Sequence, residues 1–105
     1  MLMIVKKNRK VKEYCDSIID DIKEIGLTLD EIKKCKDDID ILFHVDYIND
    51  CLVEINEHIV KLQSKFTTSD EEFLSIVTKM EIEYDNRNMK TLELETFNLL
   101  KYICK

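Results

Sequence analysis

Two histidines and four cysteines carry most of the reactive chemistry available to this chain of 105 residues. His44 follows Asp40 by four residues, and His58 follows Glu54 by four. On a helix each pair shares a face, so acid and imidazole could share a hydrogen bond or a metal ion. Di-iron carboxylate bundles place a Glu three residues before the His. Ile41 and Ile55 hold those positions here, and the H-E-x-x-H zinc motif is absent. The pairs therefore read as partly exposed helical histidines beside acids, with no metal or cofactor expected.

The cysteines, Cys15, Cys35, Cys51 and Cys104, contain no C-x-x-C pair. Cys35 or Cys51 could join His44 or His58 around zinc only if the chain folds back between them. A Cys–His catalytic pair would want a glycine loop to bind an oxyanion, and the single glycine is Gly26. The thiols are expected to be reduced and to pack as small apolar groups.

Charge is distributed unevenly. Asp37, Asp38 and Asp40, then Asp70, Glu71 and Glu72, then Glu81, Glu83 and Asp85 form acidic clusters without calcium-loop spacing. They read as solvated faces, or as a surface that imitates nucleic-acid phosphates or docks a basic groove. Residues 1–13 carry Lys6, Lys7, Arg9, Lys10 and Lys12 against Glu13, a net of +4. The whole chain is −6, so the remainder is strongly acidic and argues against broad nucleic-acid binding. The basic segment keeps a local nucleic-acid contact open as an alternative, as does marginal contact with an anionic membrane.

These groups must be positioned by helices. The chain has no Pro and one Gly, which leaves little for the turns of a sheet. It also lacks Ala, while Ile and Lys each occur 14 times. That bias suggests an AT-rich genome, such as that of a virus, a phage or a low-GC bacterium. Val11, Tyr14, Cys15, Ile18, Ile22 and Ile25 recur at three and four, the stripe of an amphipathic helix over about 3–25. Gly26 suits its end. Thr28 with Glu31 forms a capping box, and Leu27 with Ile32 a staple, for a second helix over about 29–66.

That second helix carries two stripes out of phase. Ile32, Cys35, Ile39 and Leu42 make one. Val45, Ile48, Leu52, Ile55, Ile59, Leu62 and Phe66 make the other. A bend or break is expected near 43–46, with Asp46 as a possible cap. Thr68 or Ser69 should cap a third helix over about 69–104. It shows Phe73, Val77, Met80 and Tyr84, then Met89, Leu92, Thr96, Leu99 and Ile103, with a bend or break near 85–88 and Asn88 as a cap.

The expected architecture is one all-α domain over 1–105, an antiparallel bundle of three long helices, kinked into four or five if the slips are breaks. A first helix of about 22 residues covers only part of so long a pair. The heptads from Val45 to Phe66 therefore predict a second copy packed on that seam. The functional expectation is a non-enzymatic helical interaction module: a homodimer acting as an adaptor or an inhibitor of a partner protein. A nucleic-acid regulator and a metal-binding or redox bundle are the alternatives. No apolar run reaches the ~18 residues of a membrane span, and no signal-peptide core is present. A cytoplasmic protein is expected.

Overall fold

The computed structural model describes the backbone of residues 2–65 and 70–104 and the side chains of 8–64 and 70–104. Four helices follow one another: α1 (Leu2–Lys34), α2 (Asp38–Lys65), α3 (Glu71–Asp85) and α4 (Met89–Ile103). No strand occurs among the described residues. Each helix packs on its neighbours in chain order, and α4 returns to α1. Among the described residues neither diagonal pair brings its backbones close together, which is the arrangement of an up-and-down four-helix bundle.

α1 does not stop at Gly26. It runs 33 residues to Lys34, past both the expected end at 25 and the expected start at Thr28. The apolar stripe explains why. From Ile25 it continues through Thr28 and Ile32 to Cys35 at steps of three and four, so one helix keeps one face inward. Thr28 is buried, and its hydroxyl donates to the Glu24 carbonyl at 2.7 Å, as a mid-helix threonine does. Gly26 has no positive φ, and a Cβ there would meet nothing within 4 Å.

The chain turns instead at residues 35–37. The Cys35 N–H bonds to the Ile32 carbonyl at 3.1 Å, and the Asp37 side chain accepts from the Ile39 N–H at 3.1 Å. Lys33 and Lys34 close α1, and Asp38 and Asp40 open α2. Both sets of charges complement the helix dipoles. The first acidic cluster is exposed, as expected, and also opens a helix.

α2 continues through residues 43–46, so of the bend or break expected there no break occurs, and Asp46 caps nothing. The slip in phase marks a change of surroundings. Ile39 and Leu42, before it, are exposed, whereas Cys51, Ile55, Ile59 and Leu62, after it, are buried.

α3 opens on Asp70, whose carboxylate accepts from the Phe73 N–H at 3.1 Å. The caps expected at Thr68 and Ser69 lie outside the described residues. The break near 85–88 is present, with Asn88 capping α4 through the Thr91 N–H at 3.4 Å. Arg87 takes φ 57. The Asn88 N–H reaches Glu83 O and the Arg87 N–H reaches Tyr84 O, both at 2.9 Å. That pair of bonds ends α3 in a Schellman motif, with an arginine where glycine is usual.

The core joins all four helices. Val11, Cys15, Ile18, Ile22 and Ile25 meet Cys51, Ile55, Ile59 and Leu62, with Phe73, Val77, Met80, Leu92 and Leu99 from the second hairpin. At 1.5 Å per residue α1 is about 50 Å long and α2 about 42 Å, but α3 and α4 reach only about 22 Å each. The second hairpin therefore covers one half of the first. The other half, with the end of α1 and the start of α2, projects as a two-helix tip from a molecule measuring 54 × 24 × 21 Å.

Candidate functional site

The expected interaction seam divides between two environments. Ile55, Ile59 and Leu62 are at most 1% exposed inside the chain's own bundle. Ile48 and Leu52 pack against that core and are half-buried. Val45 alone of the described seam is exposed, and Phe66 lies outside the described residues. The seam needs no second copy over residues 51–62, because α1 is longer than its first stripe suggested and the chain returns as α3 and α4. Exposed apolar residues are denser at the tip, although Val53, Val60, Ile82, Leu94 and Phe97 are exposed on the bundle half. Leu27 and Leu29 of α1 and Ile39, Leu42, Phe43, Val45 and Tyr47 of α2 are all exposed. Ile39, Leu42 and Phe43 form one stripe at i, i+3 and i+4. Leu27, Phe43 and Tyr47 line a shallow open groove of about 400 Å³ between the two helices. Leu27 also borders a second, with Leu29, along α1.

The tip brings Cys35 and His44 together, Sγ to Nδ1 at 3.9 Å. Both groups are already committed as donors. The thiol donates to the Glu31 carbonyl at 3.3 Å, and His44 Nδ1 donates to the Asp40 carbonyl at 2.7 Å. That nitrogen carries a proton and does not serve as base for the thiol. All four cysteines are free. Cys15 is fully buried, and desolvation pushes its thiol up to about 12, which makes it an inert packing group. Cys51 is pushed up as well, by burial first and by Asp21 second.

The second histidine pair gains a partner from another helix. Asp21 of α1 stands beside Glu54 and His58 of α2, and a ligand atom from each lies within 4.8 Å of the other two. Ser17 donates to Glu54 Oε1 at 3.2 Å, and His58 Nδ1 donates to the Glu54 carbonyl at 2.9 Å. The Tyr14 ring leans on the imidazole with centroids 5.4 Å apart. Burial, then the charges of Glu54 and Asp20, pushes the Asp21 carboxyl up to about 6. One of its oxygens is closed to solvent with no hydrogen-bond partner. Tyr14, Ser17 and Asp21 share one face of α1, and Glu54, His58 and Lys61 share the facing side of α2. The i, i+4 spacing showed the α2 pair, but nothing in the sequence said that Asp21 would be laid against it.

Of the basic segment, Arg9, Lys10 and Lys12 are described, and all three are exposed on α1. Lys10 pairs with Glu13 at 3.4 Å and Lys12 with Asp16 at 2.6 Å, both along α1. The side chains of Lys6 and Lys7 are outside the described residues, and no helix of the described chain is long and apolar enough to cross a membrane.

An all-α up-and-down bundle with a two-helix extension is the class that the fold defines. No protein-family model, curated protein or solved structure matches the chain.

Proposed function

We propose that this chain is a non-enzymatic helical interaction module that pairs with a second copy of itself through the exposed tip of α1 and α2. In that form it acts as a small adaptor or an inhibitor of a partner protein. The observation that carries the reading is the set of exposed residues Leu27, Leu29, Ile39, Leu42, Phe43, Val45 and Tyr47 on one protruding hairpin. Among them Leu27, Phe43 and Tyr47 line one groove, and apolar surface gathered in this way is an unfavourable exposure unless something covers it. Two tips laid antiparallel would each supply the helix pair that α3 and α4 supply to the other half of the molecule, and so complete a second four-helix core.

A two-fold interface joins residue i to j and j to i, and an apolar patch can complement itself in this way. Composition adds the expectation of an AT-rich source, viral or phage among others, and a cytoplasmic setting.

Size-exclusion chromatography with light scattering tests the pairing. The wild-type chain should run at twice its 12.5 kDa at tens of micromolar. Phe43→Glu, at an exposed position, should return it to a monomer with its helicity intact. A wild-type mass of 12.5 kDa at that concentration would end the proposal.

A further inference from the structure

We propose that Asp21, Glu54 and His58 form a site for a divalent transition-metal ion, with Zn²⁺ as its reference ligand, that clamps α1 to α2. This site is separate from the apolar tip and stands or falls independently of the pairing there.

The donor set is the first argument. Two carboxylates and one imidazole from two helices converge, with ligand atoms within 4.8 Å of one another. Three protein ligands with water in the remaining position is a common zinc arrangement. Imidazole selects for zinc and its neighbours over magnesium and calcium, which prefer oxygen alone.

The second argument is that the ligands are held from behind. His58 Nδ1 donates to the Glu54 carbonyl, which fixes the tautomer that leaves an Nε2 lone pair. A metal-binding histidine usually has its other nitrogen bound to a carbonyl or carboxylate in this way. Ser17 holds one oxygen of Glu54, and the Tyr14 ring limits the swing of the imidazole.

The third argument is an unmet need. One Asp21 oxygen is closed to solvent without a hydrogen-bond partner, and the carboxyl stands within hydrogen-bonding reach of Glu54 and meets its like charge. Asp20 and Glu24 add to the negative potential from α1. A cation would turn this repulsion into shared ligation. The rival arrangement is a single proton shared between Asp21 and Glu54, and it predicts no metal dependence.

The test uses the full chain, stripped with a chelator, in equilibrium dialysis against Zn²⁺ with elemental analysis. We expect one Zn²⁺ per chain and a rise in melting temperature with Zn²⁺ that Mg²⁺ does not reproduce. Asp21→Asn, Glu54→Gln and His58→Gln should each weaken binding roughly tenfold or more. Asp21→Asn relieves repulsion, so it is expected to fold at least as well as the wild type, and circular dichroism checks this. Cys35→Ser and His44→Gln should bind as the wild type does. With Co²⁺ in place of Zn²⁺, the spectrum should show no thiolate charge-transfer band. Failure to bind Zn²⁺ above a nonspecific background would overturn the site. So would binding that survives Glu54→Gln and His58→Gln but is lost in Cys35→Ser.

Discussion

Asp21 concentrates the electrostatics of the bundle in one side chain. Its carboxyl ionises in the folded protein near pH 6 against 3.8 as the reference value. Between those values the folded state holds a proton that the unfolded state has released, so stability falls as pH rises through the window. Below about 3.8 the destabilisation is absent, and above about 6 it is fully present. Solvent reaches the cluster, because Glu54 is exposed, and this limits the effect to on the order of 1 kcal/mol at pH 7. In chelator, Asp21→Asn should therefore melt above the wild type at pH 7, and the gap should shrink steadily toward pH 4. Thermal melts across that range check it, and a gap independent of pH would contradict the assignment. The acid–histidine pair on α2 was legible as an i, i+4 spacing. Asp21 was not, because pairing across helices depends on the register of α1 on α2, which local spacing does not encode.

At the scale of the element, the sequence reports faces better than ends. The stripes of α1, α3 and α4 are buried as their spacing requires: Cys15 and Ile18, Phe73 and Val77, Leu92 and Leu99. The ends proved ambiguous where a local signal competed with packing. Gly26 and Thr28 form a good helix stop and start, but a stripe running from Ile25 through Thr28 to Ile32 makes the continued helix the better burial. The actual turn is written in charge, from Lys33 and Lys34 to Asp38 and Asp40, with no Gly or Pro to announce it. The α3–α4 turn was visible through Asn88, although its left-handed residue is Arg87 and carries no sequence signature. Continuity at residue 26 has a direct consequence. With negative φ, open space around a Cβ and a helical neighbourhood, Gly26→Ala should stabilise the protein by about 0.5–1 kcal/mol. Urea denaturation measures this. A loss of stability would mean that Gly26 ends a helix in the left-handed conformation.

The whole molecule is a long hairpin half covered by a short one. That asymmetry separates two kinds of apolar residue that look alike in sequence. Ile55 lies at the centre of the covered half with no exposure, so Ile55→Asp should cost well over 3 kcal/mol and unfold the chain rather than merely dissociate it. Circular dichroism of the purified variant would show the loss of helix, and a folded monomer would contradict the core assignment. Leu42 and Phe43 lie on the uncovered half, 62% and 68% exposed, where substitution should change association and leave the fold intact. A heptad run from Val45 to Phe66 suggests one continuous seam, but in three dimensions its C-terminal half belongs to the bundle. The exposed apolar residues of the tip begin where the bundle ends.

Small-angle X-ray scattering reads that geometry most directly. The single chain measures 54 Å along its longest axis with a radius of gyration of 15.4 Å over its Cα atoms. Two copies overlapping by a tip of about 20 Å should give a particle about 90 Å long. Phe43→Glu should restore the dimensions of one chain. A wild-type protein that scatters as a single chain about 54 Å long, or a dimer too compact for contact at the tips, would contradict tip-to-tip pairing.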